Sequence, residues 1–160
     1  LSKQECRFSY RESIFKKKKW VILKIAFVFR KGDPKTLQKI SKEIITLRFK
    51  KYKPDMRCAG SIFKNIPVDS ALGKKLIKKI QKEKIIKGKI PAGYLLESVG
   101  AKGMRKGGIM VASHHGNLIV NTGKGTACDA KFLIDLLKRR VRKKYGITLE
   151  EEVRYLGFEK

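Results

Sequence analysis

Helical and extended signals follow one another along this chain without strict strand–helix–strand alternation, and that order predicts an α+β fold. Residues 20–29, Trp-Val-Ile-Leu-Lys-Ile-Ala-Phe-Val-Phe, are β-branched and aromatic and read as a buried strand. A turn at 31–34 then opens a helix, with Asp33 as N-cap and Pro34 in the first position. Leu37, Ile40, Ile44 and Leu47 continue it as one apolar stripe, and it stops before Pro54. Residues 53–58 read as a linker and the domain boundary. After a small-residue turn, a second helix is predicted over 69–82, with Leu72, Leu76 and Ile80 on one face. Residues 92–100 form a short helix closed by glycine. Residues 109–113 and 118–121 are short strands joined across His114-His115-Gly116-Asn117. Thr126 and Asp129 make a capping box for the longest helix, in which Ala130, Leu133, Leu137 and Val141 face inward and Gly146 is the stop. A last strand is predicted over 153–156.

A hydrophobic content of 42% suits a folded domain and excludes a disordered basic tail. No run approaches the roughly 18 uncharged apolar residues of a membrane span, so no membrane partner is expected. No signal-peptide pattern opens the chain, and Leu1 begins in sequence that reads as mid-domain, so an upstream portion is expected. Cys6, Cys58 and Cys128 form no Cys-x-x-Cys pair, and adjacent His114 and His115 would point to opposite faces of a strand. No metal site is therefore expected, and reduced thiols suit a cytoplasmic protein. The net charge of +26 admits two readings, a polyanion partner or solvated lysines on outer faces. The runs at 16–19, 74–79 and 139–144 fill the gaps between apolar positions, which favours the second. Aromatic residues do not alternate with the basic ones as a stacking platform needs, so no specific nucleic acid is expected. The rival to an enzyme is a basic, non-enzymatic nucleic-acid-binding protein, supported by charge alone.

Chemistry concentrates in Cys58-Ala59-Gly60-Ser61-Ile62-Phe63-Lys64-Asn65, where Ala-Gly lets the backbone turn tightly in front of one hydroxyl. Ser61 alone could simply cap its own turn. No Gly-x-Ser-x-Gly elbow surrounds it and no histidine stands as its base, so a hydrolase triad is weak. A hydroxyl that donates a proton needs no such base; it needs a developing carbanion before it and charges that shape that carbanion's energy. Arg11, in Tyr10-Arg11-Glu12-Ser13, and Glu152, in the 150–152 glutamate triplet, are the charged candidates, each with a bland alternative as a surface residue. Lys64 and Asn65 could hold a phosphate and a sugar or base, or be solvated turn residues. Arg11, Ser61 and Glu152 read as one site only if a fold brings them together.

Five motifs occur in order: Cys-Ala-Gly-Ser-Ile-Phe-Lys-Asn, Pro-Ala-Gly-Tyr-Leu-Leu-Glu, Gly-Gly-Ile-Met-Val-Ala-Ser-His-His-Gly-Asn-Leu-Ile-Val-Asn, Thr-Ala-Cys-Asp and Glu-Val-Arg-Tyr-Leu-Gly. Together they resemble the UDP-N-acetylenolpyruvoylglucosamine reductase (UDP-N-acetylmuramate dehydrogenase) family of early peptidoglycan synthesis. The resemblance spans nearly all of the chain and the back part of that family's sequence. It implies residues 1–52 as the tail of a VAO/PCMH-type FAD-binding domain and 53–160 as an α+β substrate-binding domain. It also implies FAD as cofactor, NADPH as reductant, UDP-N-acetylglucosamine enolpyruvate as substrate, and a monomer. By motif match Ser61 is the proton donor, while Arg11 and Glu152 polarise the substrate carboxylate. Asn65, Lys89 and His115 fall where the family contacts the UDP-sugar, and Lys64 stands beside them as a further substrate-binding candidate. Ile66 departs from the pattern, because the family usually has proline directly after Phe-Lys-Asn. No tyrosine-bearing extra loop is found, which implies the subtype lacking it.

Overall fold

The computed structural model describes residues 1–18, 20–52 and 54–158, leaving Lys19 of the first lysine run and Lys53 of the predicted linker outside the described residues. The chain divides into two compact units, Leu1–Asp55 and Met56–Lys160.

In the first unit a single turn of helix, α1 (Ile14–Lys17), precedes the long helix α2 (Pro34–Lys51). The α2 start follows its sequence: the Asp33 carboxylate accepts from the Thr36 N–H at 2.8 Å and from the Thr36 hydroxyl at 2.7 Å, with Pro34 at the first helical position. The apolar stripe Leu37, Ile40, Ile44 and Leu47 is present but about half exposed. The strand predicted over 20–29 does not form. Its described residues run without a strand partner, with Leu23 and Val28 more than nine-tenths exposed. The physical reason is that a strand is defined by its ladder. β-branched composition makes a segment competent to pair, and a neighbouring strand has to supply the partner groups.

The second unit holds a four-stranded antiparallel sheet and a small hairpin. Its strands are β1 (Cys58–Ser61), β4 (Arg105–Lys106), β5 (Ile109–Val111) and β6 (Leu118–Asn121), in spatial order β1-β6-β5-β4. Met110 pairs with Val120 and Val111 with Ile119, so β5 and β6 are the hairpin predicted across 114–117. The Ala-Gly-Ser sequence of β1 predicts a turn. It pairs instead with β6 through Cys58 and Val120, and through Ser61 and Leu118, with a register irregularity between. Gly60, at φ +80°, lies within that irregular stretch. β2 (Ile66–Pro67) and β3 (Lys89–Ile90) form the hairpin.

The helix predicted over 69–82 is much shorter. α3 covers Ala71–Leu76 behind a Ser70 cap, then tightens into a 3₁₀ turn over Ile77–Lys79, with a second 3₁₀ turn at Lys82–Lys84. Lysine-rich sequence has no packing reason to prolong the helix once Leu76 and Ile80 are buried. α4 (Ala92–Glu97) and α5 (Ala127–Tyr145) match expectation closely. The Thr126–Asp129 capping box is reciprocal, and Gly146 closes α5 in the left-handed conformation at φ +72°. Leu133, Leu137, Val141 and Tyr145, one turn apart, seat α5 on a core that includes Phe63, Ile90, Leu95, Val111 and Leu149. Each such large side chain contributes roughly 1.5–3 kcal/mol by leaving water. The strand predicted over 153–156 is absent; one bridge pairs Glu151 with Phe63 instead.

Candidate functional site

Ser61 ends β1 on an exposed surface, and a Cβ placed on Gly60 beside it would meet no atom within 4 Å. The chain just past Ser61 is held from both sides. On one side the Ile62 N–H donates to the Asn117 carbonyl at 3.1 Å. The Asn117 side chain then accepts from the Phe63 N–H at 2.9 Å and donates to the Phe63 carbonyl at 2.8 Å. On the other side the Lys64 N–H donates to the Glu150 carbonyl at 2.9 Å, and the Glu152 N–H donates to the Ile62 carbonyl at 2.7 Å. The structure therefore lays the 150–152 segment against the residues that follow Ser61. All donors and acceptors named here are backbone groups or the Asn117 amide, so this arrangement is set by main-chain pairing.

The other candidates occupy distinct environments. Lys64 is buried, not a solvated turn residue, and its ammonium pairs with the Glu150 carboxylate. Asn65 accepts from the Ala92 N–H at 3.0 Å, satisfying an orphan donor at the start of α4. Lys89 opens β3, half-buried, after a tight turn in which Lys87 and Gly88 both have positive φ. His115 precedes β6; its Nδ1 accepts from the Asn117 N–H at 3.1 Å. The ring lies so close to α4 that a Cβ on Gly93 would come within 3.0 Å of His115 Cε1. Arg11 lies in the first unit with φ +58°.

The three glutamates have separate roles. Glu150 pairs with Lys64, while Glu151 accepts from Lys138 Nζ at 2.5 Å and from the Tyr155 hydroxyl at 2.6 Å. Burial, and then the Glu151 carboxylate it donates to, push the Tyr155 phenol well above its ordinary range. Glu152 is half-buried. Near His115, Glu97 accepts from the Gly116 N–H at 3.1 Å and pairs with Lys102 at 2.8 Å. Burial alone would raise its carboxyl, but Lys102, the Gly116 N–H and His115 outweigh that and hold it below its ordinary value.

An apolar cavity of about 560 Å³ lies alongside, with Cys58, Ala59 and Ile62 on one wall and Ile109, Ile119, Ile134 and Val153 on others. Neither Ser61 nor Glu152 lines it, though the immediate neighbours Ile62 and Val153 do. Sequence reasoning missed Asn117 and Glu97 as site residues. Both sit inside quoted motifs, but a short polar residue in a motif does not announce whether its partner is a ligand or its own backbone. Among the described residues no cluster of three or more His, Cys, Asp or Glu could hold a metal ion. No helix among them is long and apolar enough to cross a membrane.

Comparison with known proteins adds independent findings. Residues 52–156 match the family model described as UDP-N-acetylenolpyruvoylglucosamine reductase, C-terminal domain. The UDP-N-acetylenolpyruvoylglucosamine reductase of Solibacter usitatus (strain Ellin6076) is 46% identical over 154 residues, which cover 96% of this chain and 49% of that relative. The enzyme of the same name from Thermotoga sp. (strain RQ2) is 34% identical over 153 residues, covering 96% and 44%. A crystal structure of UDP-N-acetylenolpyruvylglucosamine reductase (MurB) from Thermus caldophilus is 31% identical, covers 78% of this chain and 36% of that one, and has a TM-score of 0.48. The chain spans about half the length of the curated relatives it matches.

Proposed function

This chain belongs to the UDP-N-acetylenolpyruvoylglucosamine reductase family, and on that premise we propose that it carries the substrate-facing part of an oxidoreductase of peptidoglycan synthesis. The reaction is reduction of UDP-N-acetylglucosamine enolpyruvate to UDP-N-acetylmuramate, with NADPH and one proton consumed. We assign residues 53–160 to the substrate-binding domain and 1–52 to the tail of the FAD-binding domain. Flavin binding itself we place in the half of the relatives that this chain does not cover. Bound FAD would supply two-electron hydride chemistry linking NADPH to the enolpyruvyl double bond. The open surface beside Gly60 is what a planar ring could approach.

The observation that carries this reading is the 2.7 Å hydrogen bond from the Glu152 N–H to the Ile62 carbonyl, which brings a terminal carboxylate-bearing segment beside Ser61. In our reading Ser61 gives its hydroxyl proton to the neighbouring carbon of the double bond. A serine hydroxyl is a weak acid, competent only toward a carbon that hydride addition has just made strongly basic. Glu152 and Arg11 act on the substrate carboxylate, stabilising the enol-like charge as it develops. Lys64, whose ammonium pairs with Glu150, and His115, whose Nδ1 accepts from the Asn117 N–H, are assigned to the UDP-sugar as well. Lys89 and the Asn65 amide group complete the assigned UDP-sugar contacts.

The test is Ser61→Ala in the full-length protein, followed by stopped-flow absorbance of the flavin. NADPH should bleach the flavin at the normal rate, while reoxidation by the enolpyruvyl substrate and product formation should be abolished. Normal product formation would remove Ser61 from this role.

A further inference from the structure

We infer that Asn117 is a positioning residue for the Ser61 hydroxyl, and that it ties the orientation of Ser61 to that of His115; the inference rests on the role proposed above for Ser61. Pairing between β1 and β6 becomes irregular between Cys58 and Ser61, and Leu118, the partner of Ser61, is the first residue of β6. Beyond that point β6 offers no further strand backbone for Phe63 to pair with. The Asn117 side chain supplies the missing rung. A primary amide carries one donor and one acceptor in the geometry of a peptide group, and here both meet the backbone of one residue, Phe63. Because the Phe63 N–H can only donate, the orientation of the amide is fixed: Oδ1 faces Phe63 N and Nδ2 faces Phe63 O.

Asn117 and Phe63 are 3% and 1% exposed, so water cannot replace either bond. The same residue accepts from Ile62 with its carbonyl and donates its own N–H to His115 Nδ1. One side chain and its two flanking peptide groups therefore set the backbone on the far side of Ser61 and the ring of a candidate substrate contact. The 150–152 segment pairs with the opposite edge of 62–64, so a shift at Asn117 would move Ser61 and the Glu152 backbone together. Asn117 touches no reacting atom in this arrangement; it acts through Ser61.

The experiment uses the full-length protein with Asn117→Ala and Asn117→Asp, with Ser61→Ala run beside them. The Asp variant keeps the shape and loses the donor to the Phe63 carbonyl. Flavin reduction by NADPH and flavin reoxidation by saturating enolpyruvyl substrate are followed separately by stopped flow. The expected result is unchanged flavin reduction with reoxidation slowed about 100-fold, the cost of a misplacement near 1 Å at a reacting group. The effect should persist at saturating substrate and so fall on kcat rather than KM. Equal slowing of both steps, a change in KM alone, or normal reoxidation would overturn the inference, and if the Ala variant does not fold the Asp variant decides. Normal reoxidation in Ser61→Ala would instead overturn the Ser61 assignment and take this inference with it.

Discussion

At the scale of single residues, the environment of His115 has a consequence for stability that titration can read. Glu97 joins α4 to the turn before β6 through the Gly116 N–H and pairs with Lys102, while the charge of His115 also favours its carboxylate. These partners hold its folded-state pKa below the ordinary 4.5. A carboxyl depressed by folding stabilises the native state above its unfolded pKa, and that contribution is lost as pH falls through the folded value. The chain should therefore lose stability below about pH 4.5, and Glu97→Gln should lose less over the same interval. Urea midpoints of both proteins at pH 7, 5, 4 and 3 give the comparison. Parallel declines would show that Glu97 is not linked to folding. The side chain remains about a third exposed, so the effect is a modest slope and not a collapse.

At the scale of elements, the sign of one substitution depends on a contact that sequence does not display. Glycine inside a helix normally costs about 1 kcal/mol relative to alanine, so Gly→Ala is often stabilising. Gly73, inside α3, is the opposite case: a Cβ there would lie 2.1 Å from the Pro67 carbonyl oxygen and 2.6 Å from Val68 Cα. Both are backbone atoms of the β2 turn and cannot step aside as a side-chain tip would. Gly73→Ala should destabilise by about 1–3 kcal/mol, the range for overpacking a fitted site. Denaturant unfolding measures it, and a gain in stability would mean that α3 is free to move off β2. The same distinction governs what was legible in the sequence. α2, α4 and α5 were readable because their ends are written in local chemistry: Asp33 with Pro34, Thr126 with Asp129, and glycines at 100 and 146. The strands were harder. β1 looked like a turn because Ala-Gly-Ser carries no apolar alternation, and only its pairing with β6 makes it a strand. Residues 20–29 erred the other way, with the right composition and no partner. For the site, Ser61 and the glutamate triplet were found through motifs. Asn117 was not singled out, because its work is to satisfy Phe63, a residue 54 positions away.

At the scale of the whole molecule, charge and core are distributed by different rules. Several of the cations that make up the +26 serve the fold directly. Lys144 donates to the Ser98 carbonyl at 2.7 Å and Arg140 to the Val99 carbonyl at 3.2 Å, joining α5 to the end of α4. Lys79 reaches the Tyr145 carbonyl at 3.4 Å, at the negative end of the α5 dipole. The core is more localised. Every member of the large buried cluster lies between Ile62 and Leu149, and among the described residues of the first unit Cys6 is the buried hydrophobic one. By contrast the 20–49 stretch leaves Val21, Phe27 and Phe29 more than two-thirds exposed. Cooperative unfolding follows from mutual burial, so it should reside in the second unit. A chain covering 56–160 alone should unfold in one thermal transition, with a midpoint within a few degrees of the 160-residue chain followed by circular dichroism. The longer chain should bind a hydrophobic dye such as ANS more strongly, through its exposed apolar residues. If 56–160 shows no transition, the first unit contributes to the core in a way its buried residues do not reveal. If the dye binds both equally, those apolar side chains are covered in solution.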